Sequence, residues 1–142
     1  ETVIFTKKFP NTLQISVLEY SPIAYFKKNK LTYLINSNFK NSLNEKNLNF
    51  ENLIEVKNMK NMHEFKIFFS RIKNHGVFFS KIKVIDYIHY GRWDVVLTDG
   101  QLIKLGNYNL NKQVKYLNFI LNNQKEKIID LRYEGRAVVT NE

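Results

Sequence analysis

The chain has 142 residues, a length that suits one domain, and 44% of them are hydrophobic, which is enough for a buried core. It contains no cysteine, which excludes disulfides, thiolate chemistry and cysteine-based zinc sites. No run of about 18 or more apolar residues is present, so nothing in the sequence predicts a membrane span. The net charge of +9 leaves nucleic acid, an anionic membrane surface or an acidic protein as possible partners.

The first twenty residues predict a β-hairpin. Residues 2–6 are β-branched and aromatic, and residues 13–18 alternate between apolar and polar side chains over most of their length. Pro10 lies in the predicted turn between the two strands.

A second hairpin is expected after Pro22. Residues 23–26 and 31–35 are apolar and flank the charged turn 27–30. Residues 36–49 are rich in Asn and Ser and predict a loop with one short strand around Phe39.

The middle of the chain predicts one helix. Its apolar residues recur at i, i+3, i+7 and i+10, and they are Met62, Phe65, Phe69 and Ile72. Gly76 stands where a helix stop is expected.

Three antiparallel strands are predicted next. Residues 81–89 are rich in Ile, Val and Tyr, and Trp93, Val95 and Leu97 line one face of a following strand. The pair Asp99–Gly100 is a strong hairpin signal, since Gly tolerates positive φ, and residues 102–105 continue after it.

The last third predicts a helix and two strands. The helix is indicated by an apolar repeat at i, i+4, i+7 and i+11, formed by Leu110, Val114, Leu117 and Leu121. Residues 127–133 and 136–140 predict a final pair of strands around Gly135. The predicted order ββαβββαββ indicates an α+β fold in which two helices pack on a mostly antiparallel sheet.

No residue pattern indicates catalysis. His63, His75 and His89 lack metal-ligand spacing, and the 13 carboxylates are scattered singly. No serine lies in a Gly-x-Ser-x-Gly elbow, and the five glycines do not form a phosphate loop. We therefore predict a protein that is not an enzyme, with no catalytic, cofactor-binding or metal-binding residues.

The basic residues leave a second interpretation open. Of 22 basic residues 18 are Lys, and the others are Arg71, Arg92, Arg132 and Arg136. Bidentate recognition of phosphates and bases favours Arg, so this composition argues against a specific nucleic-acid site. A basic nucleic-acid-binding module nevertheless remains the alternative function.

The end of the chain contains a candidate protein-binding site. A final strand often lies at a sheet edge, where unpaired backbone groups can accept a strand from another protein. Arg132, Tyr133 and Arg136 lie in or beside the predicted terminal hairpin, and Tyr and Arg are enriched in binding hot spots. The alternative interpretation is a hairpin that only completes the core.

Three stretches of sequence carry a resemblance to a known family. Residues 8–15 and 19–26 resemble its aromatic-Pro-x-x-Leu-x-Ile segment and the Glu-(Arg/Tyr)-x-Pro-(Ile/Val)-Ala-x-aromatic segment that follows. Residues 129–138 are similar to its Asp-Leu-Arg-Tyr-x-x-Gly-x-Ala-Val terminus, with a loop before Gly135 that is one residue shorter, and residues 92–106 fit a weaker middle pattern. In this order, these motifs resemble the FtsQ/DivIB family of bacterial cell division.

The resemblance implies a non-enzymatic divisome scaffold. Its members have one N-terminal membrane helix, with a POTRA domain and a β domain on the periplasmic side of the inner membrane. By this resemblance, residues 1–20 are expected to be the last POTRA hairpin and residues 21–142 the β domain. The chain begins at Glu1, so we expect it to be part of a longer protein with the anchor upstream.

The resemblance also implies the partners and the site. In the family, a segment of FtsB adds to the terminal strand of the β domain, which also binds FtsL. The residues that match this site are Arg132, Tyr133, Gly135, Arg136, Ala137 and Val138. Tyr133 is then expected to be an aromatic anchor, Arg132 to pair with an acidic partner residue, and residues 135–138 to form the edge strand. Asp130 and Leu131 are expected to serve the fold.

Overall fold

The structure, a computed structural model, describes residues 2–18, 21–45, 49–123 and 127–141. The strands are β1 (Thr2–Lys8), β2 (Thr12–Leu18), β3 (Pro22–Lys28), β4 (Leu31–Asn36), β5 (Asn41–Leu43), β6 (Ile54–Lys57), β7 (Ile82–Tyr87), β8 (Trp93–Leu97), β9 (Leu102–Leu105), β10 (Ile128–Asp130) and β11 (Val138–Thr140). The helices are α1 (Met62–Ile72), α2 (Gly76–Ser80) and α3 (Leu110–Asn123).

The strands form two sheets. β1 and β2 pair only with each other, while the other nine strands form one sheet in the order β11-β10-β9-β8-β7-β6-β3-β4-β5. Five of its eight neighbouring pairs are antiparallel, which confirms the predicted α+β class. The pairs β3–β6, β6–β7 and β9–β10 are parallel. As a result β3, β6, β7, β9 and β10 all point the same way and end at the same border of the sheet.

The two faces of the large sheet differ sharply in polarity. Ile85, Val95, Ile103 and Ile129 are in register on four neighbouring strands, and each is fully buried. The adjacent row across the same strands consists of Asp86, Asp94, Lys104 and Asp130. These residues lie on the opposite face because side chains alternate along a strand. The helices cover the apolar face.

Helix α1 forms where the apolar spacing predicts it. The side chain of Asn61 caps its start by accepting a hydrogen bond from the N–H of Glu64 at 2.9 Å. Phe65, Phe69 and Ile72 are buried against the sheet, as the predicted stripe requires. No helix in the described part of the chain has the length and apolar character needed to span a bilayer.

Two local predictions are wrong. Phe39 lies in a turn with a positive φ of 59°, and the short strand, β5, follows it. Here Asn36 Oδ1 accepts hydrogen bonds from the N–H groups of Asn38 and Lys40, which closes the chain into a turn. Gly76 does not stop a helix but begins α2.

β6 and α2 have no counterpart among the predicted elements. β6 has only four residues, too few for a period-2 pattern to stand out. Its backbone pairs on both sides with parallel neighbours, β3 and β7, which are distant in sequence.

The final pair of strands is shorter than predicted. β10 ends at Asp130, and β11 begins at Val138. Gly135, Arg136 and Ala137 therefore lie outside the edge strand, in the connection that precedes it. Only Val138 of the predicted segment 135–138 is in a strand.

Candidate partner-binding edge of the sheet

β11 forms one edge of the nine-stranded sheet. It pairs antiparallel with β10, with Ile129 opposite Val139 and Asp130 opposite Val138. Val138 is 46% exposed and Val139 is 38% exposed, although both are apolar. An edge strand has a hydrogen-bonded neighbour on one side only, so it can accept another strand on the other.

A tight turn leads into this edge. The N–H of Arg136 donates to the carbonyl oxygen of Tyr133 at 3.4 Å, and Gly135 at the third position has a φ of +77°. Only Gly adopts this conformation without steric cost. A Cβ at Gly135 would meet nothing within 4 Å, so the backbone conformation, and no close contact within the chain, accounts for this glycine.

Arg132 is bound to Asp130 within the chain. Its Nε lies 2.8 and 2.9 Å from the two carboxylate oxygens of Asp130, its Nη2 binds Oδ2, and its backbone N–H donates to Oδ1 at 3.0 Å. The Asp130 residue is only 8% exposed, while 27% of the Arg132 side chain remains exposed. Arg132 therefore already has an acidic partner in the fold, whereas the sequence resemblance implied one in another protein.

The pairing of Asp130 with Arg132 shifts the pKa of both side chains. Burial raises the pKa of Asp130, but the hydrogen bonds and charge of Arg132, with a smaller effect of Lys104, outweigh it and leave the pKa below its ordinary value. The hydrogen bonds to Asp130 likewise raise the pKa of the Arg132 guanidinium, against a smaller opposite effect of burial. Asp130 is thus held ionised, and it serves the fold.

Tyr133 lies beside two guanidinium groups. The Cζ of Arg136 is 4.8 Å from the centre of its ring, and the Cζ of Arg132 is 6.0 Å away. Both distances are within the range of cation–π attraction. Tyr133 is 45% exposed, so this flat, partly apolar ring is presented at the surface just before the edge strand.

The backbone behind Tyr133 is held by Tyr108. The Tyr108 hydroxyl is 2.8 Å from the carbonyl oxygen of Leu131 and 2.7 Å from that of Tyr133. Its single proton serves these two acceptors. Burial raises the pKa of Tyr108, and the nearby carboxylates of Glu134 and Asp130 add to this, so the hydroxyl stays protonated as a donor.

Gln113 and Gly106 position Tyr108 in turn. Gln113 is 2% exposed; its Oε1 accepts from the N–H of Gly106 at 2.9 Å, and its Nε2 donates to the carbonyl oxygens of Gly106 and Tyr108. A Cβ at Gly106 would lie 3.2 Å from both the Arg132 Cα and the Tyr108 ring. This glycine therefore allows the close packing of the segment that contains Arg132.

A second carboxylate lies on the open face two strands away. Asp94 is directly opposite Asp86, and its Oδ1 is buried without a hydrogen bond among the described residues. Burial raises the pKa of Asp94 and Asp86 adds to this, while Lys104, Arg132 and Arg92 act in the other direction.

The structure brings together all the predicted site residues at one corner of the sheet. Arg132, Tyr133, Gly135 and Arg136 form the turn, and Ala137 leads to Val138 in the edge strand. Sequence reasoning missed Tyr108, Gly106 and Gln113. A detectable signal existed for Gln113, because it lies three residues after Leu110 and four before Leu117, on the apolar side of α3.

The described ranges contain no group of three or more His, Asp or Glu side chains placed to hold a metal ion. His63 and His89 are exposed and His75 is half-buried.

Comparison with known proteins agrees with the motifs. A sequence profile described as "Cell division protein FtsQ/DivIB, C-terminal" matches residues 24–132. The cell division protein FtsQ of Haemophilus influenzae is 27% identical over 145 residues, which cover 96% of this chain and 56% of that protein. The chain thus spans little more than half the length of this relative.

A solved structure with some similarity is the major extracytoplasmic domain of the trans isomer of DivIB from Geobacillus stearothermophilus. It aligns with a TM-score of 0.48 and 12% identity, over 77% of this chain and 100% of that one. Nothing in these comparisons favours a nucleic-acid-binding module. On the extent of the profile match, the chain belongs to the FtsQ/DivIB family of cell-division proteins.

Proposed function

We propose that this domain is a non-catalytic scaffold of the divisome that binds a segment of an FtsB-type partner by strand addition at β11. FtsL-type proteins are part of the same proposed assembly. Membership of a cell-division family supports the role, and the observation that carries the binding mode is the position of β11 at the sheet edge with Val138 and Val139 exposed.

Strand addition divides the work between backbone and side chains. An incoming strand forms backbone hydrogen bonds with β11, which provide affinity for many sequences. Its alternate side chains then contact the two faces of the sheet. Val139 shares the face of buried Ile129, and Val138 shares the polar face of Asp130. The partner segment is therefore expected to alternate apolar and polar residues.

The turn before β11 provides the specific contacts. Tyr133 is the proposed anchor because its ring is rigid, amphipathic and 45% exposed. Arg136 is exposed and is the cation better placed to meet an acidic partner residue, because the Arg132 guanidinium is bound to Asp130. Arg132 is also part of the proposed partner-binding surface, because 27% of its side chain is exposed. Gly135 and Ala137 keep the approach to the strand unobstructed.

We further propose that residues 21–142 form a β domain on the periplasmic side of the inner membrane and that residues 1–20 end a POTRA domain. The anchoring membrane helix would lie upstream. In support, β1 and β2 form a separate sheet whose apolar side chains Val3, Phe5 and Ile15 share one face, and Phe5 is 65% exposed. Such a face needs a covering partner. Amide exchange in β1 and β2 should slow in a protein extended upstream and stay unchanged if the hairpin is not part of that domain.

Calorimetric titration with the periplasmic segment of the same organism's FtsB-like protein tests the binding role. We expect saturable binding that Tyr133→Ala weakens by about 2 kcal/mol, because Tyr hot spots lose about this much on truncation. Phe9→Ala is the matched control, since Phe9 is an 84% exposed aromatic residue in the separate hairpin.

The circular dichroism of Tyr133→Ala should equal that of the unmodified chain. Loss of both fold and binding would mean that Tyr133 belongs to the core. Equal weakening by Phe9→Ala would mean that the contact is not at the β11 edge. Binding to DNA with a steep salt dependence, in place of the peptide, would favour the nucleic-acid alternative.

A further inference from the structure

A concave surface lies in the half of the sheet that is farther from the β11 edge. It has a volume of about 670 Å³ and lies where β3 and β6 end and α1 begins. We call it the basic groove, and its principal residues are Phe26, Tyr33, Met59, Met62, Lys27 and Lys28. Six strand spacings of about 4.8 Å separate β3 from β11, so the groove is about 30 Å from the edge site.

One part of the basic groove is apolar and adaptable, and four asparagines line the groove as well: Asn29, Asn41, Asn58 and Asn61. Phe26 and Tyr33 are directly opposite on β3 and β4, and their rings stack with centres 5.1 Å apart. Met59 and Met62 are half-buried and pack against the main core. Methionine side chains are flexible and polarisable, and they adapt to bound apolar groups better than branched side chains do.

The rim of the groove is cationic. Lys27 and Lys28 are consecutive at the end of β3, so their side chains leave opposite faces of the strand, Lys28 on the face of Phe26. Both line the groove and are exposed, and neither forms an ion pair with a carboxylate in the part of the chain that the structure describes. The nearby acids already have partners. Glu64 pairs with Lys60 at 3.0 Å, and Asp86 accepts a hydrogen bond from Asn58 at 2.8 Å. The groove therefore has unbalanced positive charge beside its apolar part.

We propose that the basic groove binds a short peptide segment of a partner protein in which carboxylates flank an apolar or aromatic side chain. The apolar group fills the space over Phe26, Tyr33 and the two methionines, and the carboxylates meet Lys27 and Lys28. This site is separate from the β11 edge and does not depend on the proposed strand addition.

The position of the groove favours a protein over a membrane surface. Its apolar groups are half-buried and line a concavity, which a flat bilayer does not follow. The groove also lies at the end of β3 opposite Pro22, the first residue of the strand, which is on the side of the chain that leads back to β1 and β2. Seven strand residues at about 3.3 Å each place it roughly 20 Å from Pro22.

The two methionines allow a direct test, because Met59 and Met62 are the only methionines in the chain. Labelling their methyl carbons with ¹³C gives two NMR signals, both from the basic groove. The probe is a synthetic peptide of alternating residues, acetyl-Glu-Leu-Glu-Phe-Glu-Leu-Glu-amide. We expect both signals to move saturably with this probe and to stay in place with the same peptide carrying Lys for Glu. Binding of the acidic probe without movement of either signal would place it elsewhere and overturn the proposal.

Matched double variants separate the groove from the overall charge of +9. Lys27→Ala with Lys28→Ala should weaken binding of the probe about fivefold to tenfold, the loss expected for two exposed ion pairs. Lys112→Ala with Lys115→Ala removes the same charge from the exposed side of α3 and should change it less than about twofold.

Three results would refute the proposal that the basic groove binds an acidic peptide segment. They are no binding of the probe, equal loss in the two double variants, and binding to vesicles containing phosphatidylglycerol when the acidic peptide does not bind. The last result would assign the lysines to an anionic membrane surface. None of these results bears on β11, whose test uses a different partner and different variants.

Discussion

Replacing Arg132 by Gln tests whether this residue holds the binding corner together or only meets a partner. The change removes the guanidinium but keeps the backbone N–H that donates to Asp130 Oδ1 at 3.0 Å. Asp130 is only 8% exposed in the unmodified chain, so its carboxylate loses its charged side-chain partner at a largely buried position. Arg136→Gln is the matched control, because Arg136 is exposed and its guanidinium lies over the Tyr133 ring.

The expected cost follows from this geometry. Leaving a buried ionised group without its partner costs about 2–3 kcal/mol, reduced here from larger values because one backbone hydrogen bond remains. The control loses one exposed cation–π contact, worth about 0.5 kcal/mol. Arg132→Gln should therefore lower the free energy of unfolding several times more than Arg136→Gln does.

The same pairing predicts a dependence on pH. The pKa of Asp130 is lower in the folded state than in the unfolded chain, so its contribution to stability is present above the unfolded-state pKa. This contribution is lost as the pH falls from about 5 through the lower folded-state pKa. In Arg132→Gln, burial is no longer outweighed, so the gap in stability between the variant and the unmodified chain should narrow as the pH falls.

Urea unfolding followed by the fluorescence of Trp93 provides the assay, since this is the only Trp in the chain and it is buried. The measurement should be made at pH 7 and repeated near pH 4. If Arg132→Gln and Arg136→Gln unfold at the same urea concentration, the pair with Asp130 does not stabilise the corner. Arg132 would then be available to an acidic partner residue, as the resemblance implied.

Three further predictions use the same unfolding assay. Tyr108→Phe should lower the free energy of unfolding by about 1 kcal/mol, the usual value of one hydrogen bond. The control Tyr116→Phe alters an exposed residue and should leave the free energy of unfolding unchanged. Equal values for the two variants would mean that the Tyr108 hydroxyl does not stabilise the corner. Gly106→Ala should cost about 1–3 kcal/mol by overpacking, since the new Cβ meets the Arg132 backbone, and an unchanged midpoint would mean that this segment moves freely. Asp94→Asn should stabilise the chain by up to about 1 kcal/mol at pH 7. The pKa of Asp94 is raised by folding, so its charged form opposes folding and the advantage of Asn should disappear as the pH falls below that raised value; a constant advantage would contradict this.

Local patterns were sufficient where one face of an element is buried over its whole length. The stripe through Phe65, Phe69 and Ile72 identified α1, and the Asp99–Gly100 pair located the turn between β8 and β9. Each of these signals depends on residues within one or two turns of chain. They determine that an element exists and which side of it faces the core.

Local sequence patterns did not predict the elements whose structure depends on residues distant in the chain. β6 has four residues and is a strand because β3 and β7 flank it. Phe39 lies in a turn with a positive φ, and its ring packs edge-on to Phe65 and Phe69, which are far along the chain. The length of β11 depends likewise on where β10 ends. Pairing of this kind is a property of the assembled sheet, so no window of sequence contains it.

The sequence by itself determined the α+β class, the family and the residues at the candidate corner, because ordered motifs and periodicity are local. The tertiary structure alone decided where those residues lie and what they contact within the chain. It placed β11 at an edge, bound Arg132 to Asp130 through four hydrogen bonds, and put the hydroxyl of Tyr108 behind Tyr133. It also joined Lys27 and Lys28 to Met59 and Met62, which are about thirty residues later in the chain, at one concave surface. These outcomes depend on strand order and on contacts between distant segments, which a linear pattern of residues does not record.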